Sequence, residues 1–229
     1  MGTVTILDTT SRTPITLIGE RAGICWGADI SDPSKNYKRG WDCITSGHGR
    51  TLEFVPIDMV IEGYSARVIR EYMRHVGGGL TVLQASTRYI DYEHFSYIMP
   101  PSIGNNDKAM TVYTDTMETI SIALGQLEKM GIPREDIANL LPLGMTTKLV
   151  DHKNLRNLID MSRQRMCNRA YWEFRELFRD ISVALTNYSE EWGKVVSKCF
   201  YPKCQDTQTC PESKGCGRYP KRGYDNATD

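Results

Sequence analysis

The stretch Ile57 to Tyr89, IDMVIEGYSARVIREYMRHVGGGLTVLQASTRY, changes its apolar period partway along and then loses periodicity altogether. From Ile57 to Ile61 the apolar residues fall on alternate positions, the pattern of a half-buried strand. Gly63 and Ser65 interrupt it, and Ser65 is placed to cap a helix from Ala66 to about His75, because its hydroxyl can accept from an unpaired first-turn amide. The triple glycine from Gly77 ends that helix. Arg74 and His75 then sit at a helix C-terminus, where the dipole favours cations without any function. Three ordered glycines cost roughly 1 kcal/mol each in chain entropy, so they are expected either in a flexible link or where backbone must approach a ligand. The residues that follow, Gln84-Ala85-Ser86-Thr87-Arg88, supply amide donors, an amide side chain, hydroxyls and a guanidinium. That set suits a phosphate and a nucleobase edge. A Walker loop is excluded because no Gly-Lys-Ser/Thr follows, and a dinucleotide fingerprint because it needs a helix after the glycines.

Working outward, VTILD and ITLIG near the amino terminus have the composition of short strands, and Ser46-Gly47-His48-Gly49-Arg50 is a turn-rich connection into Leu52-Glu53-Phe54. Asn106 to Met130 carries apolar residues at helical spacing and is stopped by Gly131-Ile132-Pro133. A second long helix is expected over Asn154 to Asp180, with Leu155, Leu158, Phe174 and Leu177 in its apolar stripe, and a further one near Ser189 to Cys199. The expected class is α/β in the α+β sense, a mixed sheet with long helices, helix dominating the second half. There is no repeat.

At 229 residues the chain needs no covalent staple, since a chain of this size buries roughly 70% of its extended surface. With 28 basic and 28 acidic residues the net charge is +0, which excludes a molecule whose whole surface binds polyanions. No window approaches the ~18 apolar residues of a membrane span, so a cytoplasmic protein is expected, without a membrane or a nucleic-acid polymer as partner. Seven cysteines, an odd number, do not form the framework of a small secreted domain. Four of them, Cys199, Cys204, Cys210 and Cys216, cluster in the tail. They are read either as a reduced, solvated extension or as zinc ligands, although their x4, x5, x5 spacing is looser than that of paired zinc knuckles. The last residues, YPKRGYDNATD, are expected to be mobile.

Two further places carry chemistry. His48 is followed five residues later by Glu53, which a structural hydrogen-bonded pair explains as well as a site does. Arg156, Asp160 and Arg163 share one helical face and make an ordinary salt-bridged surface, whereas Arg165 points nearly opposite, toward Leu158, Met161 and Met166. An arginine on a packed side needs an anionic or planar partner.

Together these places resemble the flavin-dependent thymidylate synthases, up to about residue 195. The family's opening Gly-His with a Glu five residues on is matched by His48 and Glu53. Its Arg-His-Arg, then Ser-x-Arg-Tyr signature is matched in outline by Arg74-His75 and Ser86-Thr87-Arg88-Tyr89. Its Leu-Pro, Asn-x-Arg, following arginine and Ala-Gln-x-Glu are matched by Leu141-Pro142, Asn154-Leu155-Arg156, Arg165 and Ala170-Tyr171-Trp172-Glu173. The departures are Val76 for the second signature arginine and two extra residues between Arg74 and Ser86. Glu71 and Gln84 have exchanged acid and amide, Ala138 replaces a nucleotide-binding arginine, Asp160 replaces an asparagine and Arg50 a hydroxyl residue.

The resemblance implies a homotetramer with active sites between subunits that converts dUMP to dTMP. Methylenetetrahydrofolate would be the carbon donor and FAD, reduced by NADPH, the hydride source; no protein thiol attacks the pyrimidine. It implies Arg165 as the catalytic group, polarising the uracil ring. It places Glu71, Arg74, Gln84, Ala85, Ser86, Thr87, Arg88 and Arg165 at dUMP, and His48, Arg50, Glu53, Arg74, His75, Val76, Gln84, Asn154, Arg156 and Asp160 at the flavin. The synthase domain spans residues 1–198, followed by the cysteine-containing tail, 199–229. A homologue that binds flavin or nucleotide without turnover, and a methylase for a modified pyrimidine nucleotide, are the alternatives.

Overall fold

In the computed structural model, which describes residues 2–77 and 81–222, the chain runs β1 (Thr3–Ile6), α1 (Pro14–Cys25), α2 (Pro33–Thr45), a 3-10 helix (Gly49–Phe54), β2 (Pro56–Ser65), α3 (Ala66–Tyr72), β3 (Thr81–Gln84), α4 (Pro101–Gly104), α5 (Asp107–Lys129), α6 (Arg134–Ile137), β4 (Thr146–Asn154), α7 (Leu155–Arg165), α8 (Trp172–Tyr188), α9 (Glu190–Cys199) and α10 (Cys204–Thr207). The strands form one sheet in the order β1-β2-β4-β3, so the class is mixed α/β, as expected. Gly78 and Gly79 of the glycine run, and the expected mobile terminus from residue 223 onward, lie outside the described residues.

The residues group into two compact units, and β2 and β4 each contribute to both. The first holds 60–74 and 82–150 with the amino-terminal residues. Here Ser65 caps α3 as the sequence requires, its Oγ accepting from Val68 N at 3.1 Å. Ala66 N and Arg67 N donate to the carbonyls of Met145 and Leu143, so three first-turn amides are satisfied. Val68, Ile69 and Tyr72 of α3 are buried, at roughly 1.5–3 kcal/mol for each large apolar side chain. The long α5 begins at its Asn106 cap and ends before Gly131, whose φ is +77°.

The second unit holds 4–59, 75–81 and 151 onward. Helices α1 and α2 pack closely because two glycines face each other's backbone: a Cβ on Gly19 would lie 1.7 Å from Asn36 O, and one on Gly40 1.9 Å from Ile15 O. Ile15, Ile18, Phe174, Leu177, Phe178, Ile181, Trp192 and Val195 are fully buried. Asp151 and Lys153 of β4 are also fully buried, Nζ donating to Oδ1 at 3.0 Å.

Four expectations are corrected. ITLIG is not a strand but the start of α1. Pro14 occupies a first-turn position, where its fixed φ suits a helix and its missing N–H costs nothing. The Glu191 carboxylate then accepts from Ile15 N at 2.7 Å, Thr16 N at 3.1 Å and Thr16 Oγ1 at 2.6 Å, overriding the β-branched composition. Gly63 does not interrupt β2; it takes φ +75° and the strand continues to Ser65. Helix α3 stops at Tyr72, so Arg74 and His75 lie beyond it and the dipole argument does not apply to them. The helix expected over 154–180 is two helices separated by Met166–Tyr171, where Arg218 donates to Met166 O, Arg175 to Asn168 O and Ala170 N to Cys167 O.

The capping role of Glu191 makes a stability prediction. Glu191→Ala removes three hydrogen bonds from the amino end of α1 and is expected to cost about 1–2 kcal/mol. A chemical denaturation midpoint unchanged from wild type would show that the cap contributes nothing.

Candidate functional site

Within the second unit, the break after α7 and the turn before α8 bring two predicted residues together. Arg165 Nε donates to His75 Nε2 at 2.9 Å, and its guanidinium carbon stands 4.4 Å from the centre of the Phe174 ring. His75 meets the same ring edge-on, with centroids 5.9 Å apart. Accepting at Nε2 requires a lone pair there, so the neutral imidazole carries its proton on Nδ1. The packed arginine thus has its planar partner, Phe174. Sequence analysis placed Phe174 only in the apolar stripe, because an aromatic at helical spacing has no mark that separates core from site.

A second cluster gathers around Glu53. Its Oε1 accepts from Arg156 Nη1 at 2.6 Å and its Oε2 from Arg50 Nη1 at 3.2 Å. The arginines remain accessible, with side chains 47% and 84% exposed. His48 does not pair with Glu53; its Nδ1 lies 2.7 Å from Ser46 Oγ, and its carbonyl accepts from Thr51 Oγ1. The Arg156 guanidinium lies beside Gly49, where an added Cβ would meet it only at ordinary contact distance, 3.7 Å. Asn154 caps α7 in a reciprocal box with Asn157, so its side chain has a structural partner. Asn157 in turn lies 3.0 Å from where a Cβ of Gly77 would be, one close approach that glycine permits. Asp160 is exposed and lines the same cavity as Arg163 and Arg165, while Val76 is 60% exposed.

In the first unit, the loop after β3 is ordered by local bonds. Ala85 N donates to Lys148 O at 2.8 Å, Gln84 Nε2 to Thr147 Oγ1 at 3.4 Å, and Arg88 N to Ser86 Oγ at 3.2 Å. Arg88 pairs with Glu135 at 2.8 Å. Thr87 lines a small cavity shared with Ala138 and Arg134. Arg134 went unremarked in the sequence; its guanidinium bonds Glu128 at 2.6 Å and the Tyr89 carbonyl at 3.1 Å, one helical turn from Ala138. Glu71 is half-buried and Arg74 exposed.

In the tail Cys199, Phe200, Cys204 and Cys210 are buried, whereas Cys216 and most of residues 205–222 are exposed. Burial pushes the Cys199 thiol up to about 11, so it stays protonated and unreactive at neutral pH. Among the described residues, the group of three acidic or thiol side chains within 4.8 Å of one another is Asp91, Glu93 and Glu128, all carboxylates. No helix among them is long and apolar enough to cross a membrane.

Residues 6–187 match the family described as thymidylate synthase complementing protein. The chain is 31% identical to a flavin-dependent thymidylate synthase of Nitratidesulfovibrio vulgaris over 192 residues, 78% of this chain and 75% of that protein. It is 27% identical to one from Pyrococcus horikoshii over 197 residues, 80% of this chain and 78% of that one. The crystal structure of a flavin-dependent thymidylate synthase from Helicobacter pylori, complexed with FAD and dUMP, covers 86% of this chain and 99% of its own, with a TM-score of 0.67 and 20% identity, a likeness of fold. The motif order read from the sequence, the mixed sheet with its helices and these matches agree, and the chain belongs to the flavin-dependent thymidylate synthase family.

Proposed function

We propose that the protein is an FAD-dependent methyltransferase that converts dUMP to dTMP, with methylenetetrahydrofolate giving the carbon and NADPH reducing the flavin. The observation that carries this reading is the Arg165–His75 hydrogen bond over Phe174, which joins two of the family's motif residues in one rigid group. The family membership and the relatives' shared name support it. The residues also fit FAD. Arg50 and Arg156, exposed around Glu53 beside a glycine-containing turn, offer the guanidinium donors that a diphosphate needs. When bound and reduced, FAD supplies the hydride that the transferred carbon requires.

The chain's own tasks follow from its chemistry. Arg165 carries a permanent positive charge, and His75 and Phe174 fix its orientation; placed at the uracil ring, that charge stabilises the negative charge that develops as C5 becomes nucleophilic. Ser86, Thr87 and Arg88, with the amides around Ala85, bind the phosphate, and Gln84 the nucleotide's polar edge. Glu71 accepts from the sugar hydroxyl rather than meeting the phosphate, which it would repel. Arg74 serves nucleotide and flavin together, while His48, Val76, Gln84, Asn154 and Asp160 line the flavin. Holding two flat rings face to face and excluding water is the remaining requirement. We read the working form as a cytoplasmic homotetramer with active sites between subunits, formed by residues 1–198, with 199–229 as an appendage.

A second reading, binding without turnover or with an altered pyrimidine nucleotide, is favoured by Val76 and Ala138, which stand where the family has arginines. Tritium release separates the two, because replacing the C5 hydrogen by carbon sends the label to water. Purified protein with FAD, NADPH, methylenetetrahydrofolate and [5-³H]dUMP is expected to release tritium only when folate is present. A flavin-loaded protein that releases none from dUMP would sink the synthase reading in favour of the second.

A further inference from the structure

Residues beyond 187 fall outside the family match, yet the tail is fastened to one place. Lys203 N donates to Arg163 O at 2.9 Å, Arg163 lies 3.5 Å over the Tyr201 ring, and Arg169 pairs with Glu212 at 2.8 Å. Arg218 reaches Met166 O at 3.4 Å and Asn168 Oδ1 at 2.9 Å. All these anchors lie at the end of α7 or in the break that follows it. The tail also closes on itself: Cys210 N donates to Pro220 O, and Arg222 N to Cys210 O.

Four cysteines line an open cavity here, about 860 Å³ in volume: Cys167 from the break and Cys204, Cys210 and Cys216 from the tail, the last of them exposed. None of the seven cysteines is in a disulfide, and the other three do not line this cavity. The grouping differs from the one spacing alone offers. Cys199 is consecutive with the tail cysteines but is buried elsewhere, whereas Cys167, far away in sequence, joins them. Gly217, directly after Cys216, takes φ +84°, and Gln208, between Cys204 and Cys210, takes φ +53°, so the chain turns sharply beside these cysteines.

We propose that Cys167, Cys204, Cys210 and Cys216 form a tetrathiolate zinc site that ties the tail to the break between α7 and α8. Two separated segments converging on one cavity with four thiols is the composition of a closed structural site. Four thiolates on Zn²⁺ leave two net negative charges, and Arg169 and Arg218 on the same cavity wall offset them. Zinc–sulfur bonds of about 2.3 Å bring the sulfurs to about 3.8 Å from one another. In the structure no three of them lie within 4.8 Å of one another, so ligation requires the sulfurs to move together. The site restrains Cys167, two residues after Arg165, and thereby the segment that carries the guanidinium. It is a positioning device, not part of the chemistry.

The test is metal content of the full chain, purified under reducing conditions without chelator. About one zinc per chain is expected, falling at least tenfold in Cys167→Ser and in Cys210→Ser and unchanged in Cys25→Ser and Cys199→Ser. Should a ligand variant fail to fold, zinc-edge X-ray absorption of the wild type reads the same point, with four sulfurs at about 2.3 Å expected. Metal-free protein that takes up neither zinc nor cobalt, a shell containing nitrogen or oxygen, iron with labile sulfide, or zinc retained in Cys167→Ser would each overturn the proposal.

Discussion

Arg165→Ala is expected to lower tritium release from [5-³H]dUMP by about 10²–10³-fold while leaving the protein yellow and folded. The size follows from removing one preorganised donor of charge at the position where charge develops, about 2.7–4 kcal/mol in comparable sites. Retained flavin follows from geometry, since Arg50, Glu53 and Arg156 form a separate cluster that the substitution does not touch. Arg165→Lys is expected to recover little. An ammonium has no planar face to lie over Phe174 and cannot keep one donor on His75 while presenting others in a fixed fork. A loss below about tenfold, under about 1.4 kcal/mol, would assign Arg165 to packing.

The largest stability effect is expected at Lys153→Met. Its ammonium and the Asp151 carboxylate are both fully buried, 3.0 Å apart. Removing the cation leaves the carboxylate in the core without its ammonium partner, at a cost of about 3–5 kcal/mol. In a chain of 229 residues that lowers Tm by roughly 10 °C. The double variant Asp151→Asn with Lys153→Met is expected to be more stable than Lys153→Met alone, because the buried carboxylate that lost its ammonium partner is replaced by a neutral amide. Urea denaturation of the three proteins measures both differences. A double variant no more stable than Lys153→Met alone would show that the stranded charge is not what costs stability there.

How much was legible follows from the range of each interaction. Periodicity and caps are local, and the elements that depend on them were read correctly: the strand at Ile57–Ile61, the Ser65 cap, the helix from about Asn106 to its stop at Gly131, and the α9 start near Ser189. ITLIG was misread because its deciding contact, the Glu191 carboxylate, lies 176 residues away. The long helix was misread because the apolar stripe continues across the break at 166–171, where arginines from α8 and the tail take the released carbonyls. For the candidate site, the resemblance named His75 and Arg165, and the structure brings these two together. Nothing local marked Phe174 as their common neighbour.

The sequence by itself determined the α/β class, the family, and which polar residues carry its motifs, since these rest on residue types in a linear order. Only the tertiary structure decided the distant partners: Arg165 and Phe174 for His75, Arg156 for Glu53, and Cys167 rather than Cys199 beside the tail thiols. The physical reason is that hydrogen bonds, ring contacts and thiol proximity act over a few ångströms between residues tens to hundreds of positions apart, and chain order carries no record of which distant segments meet.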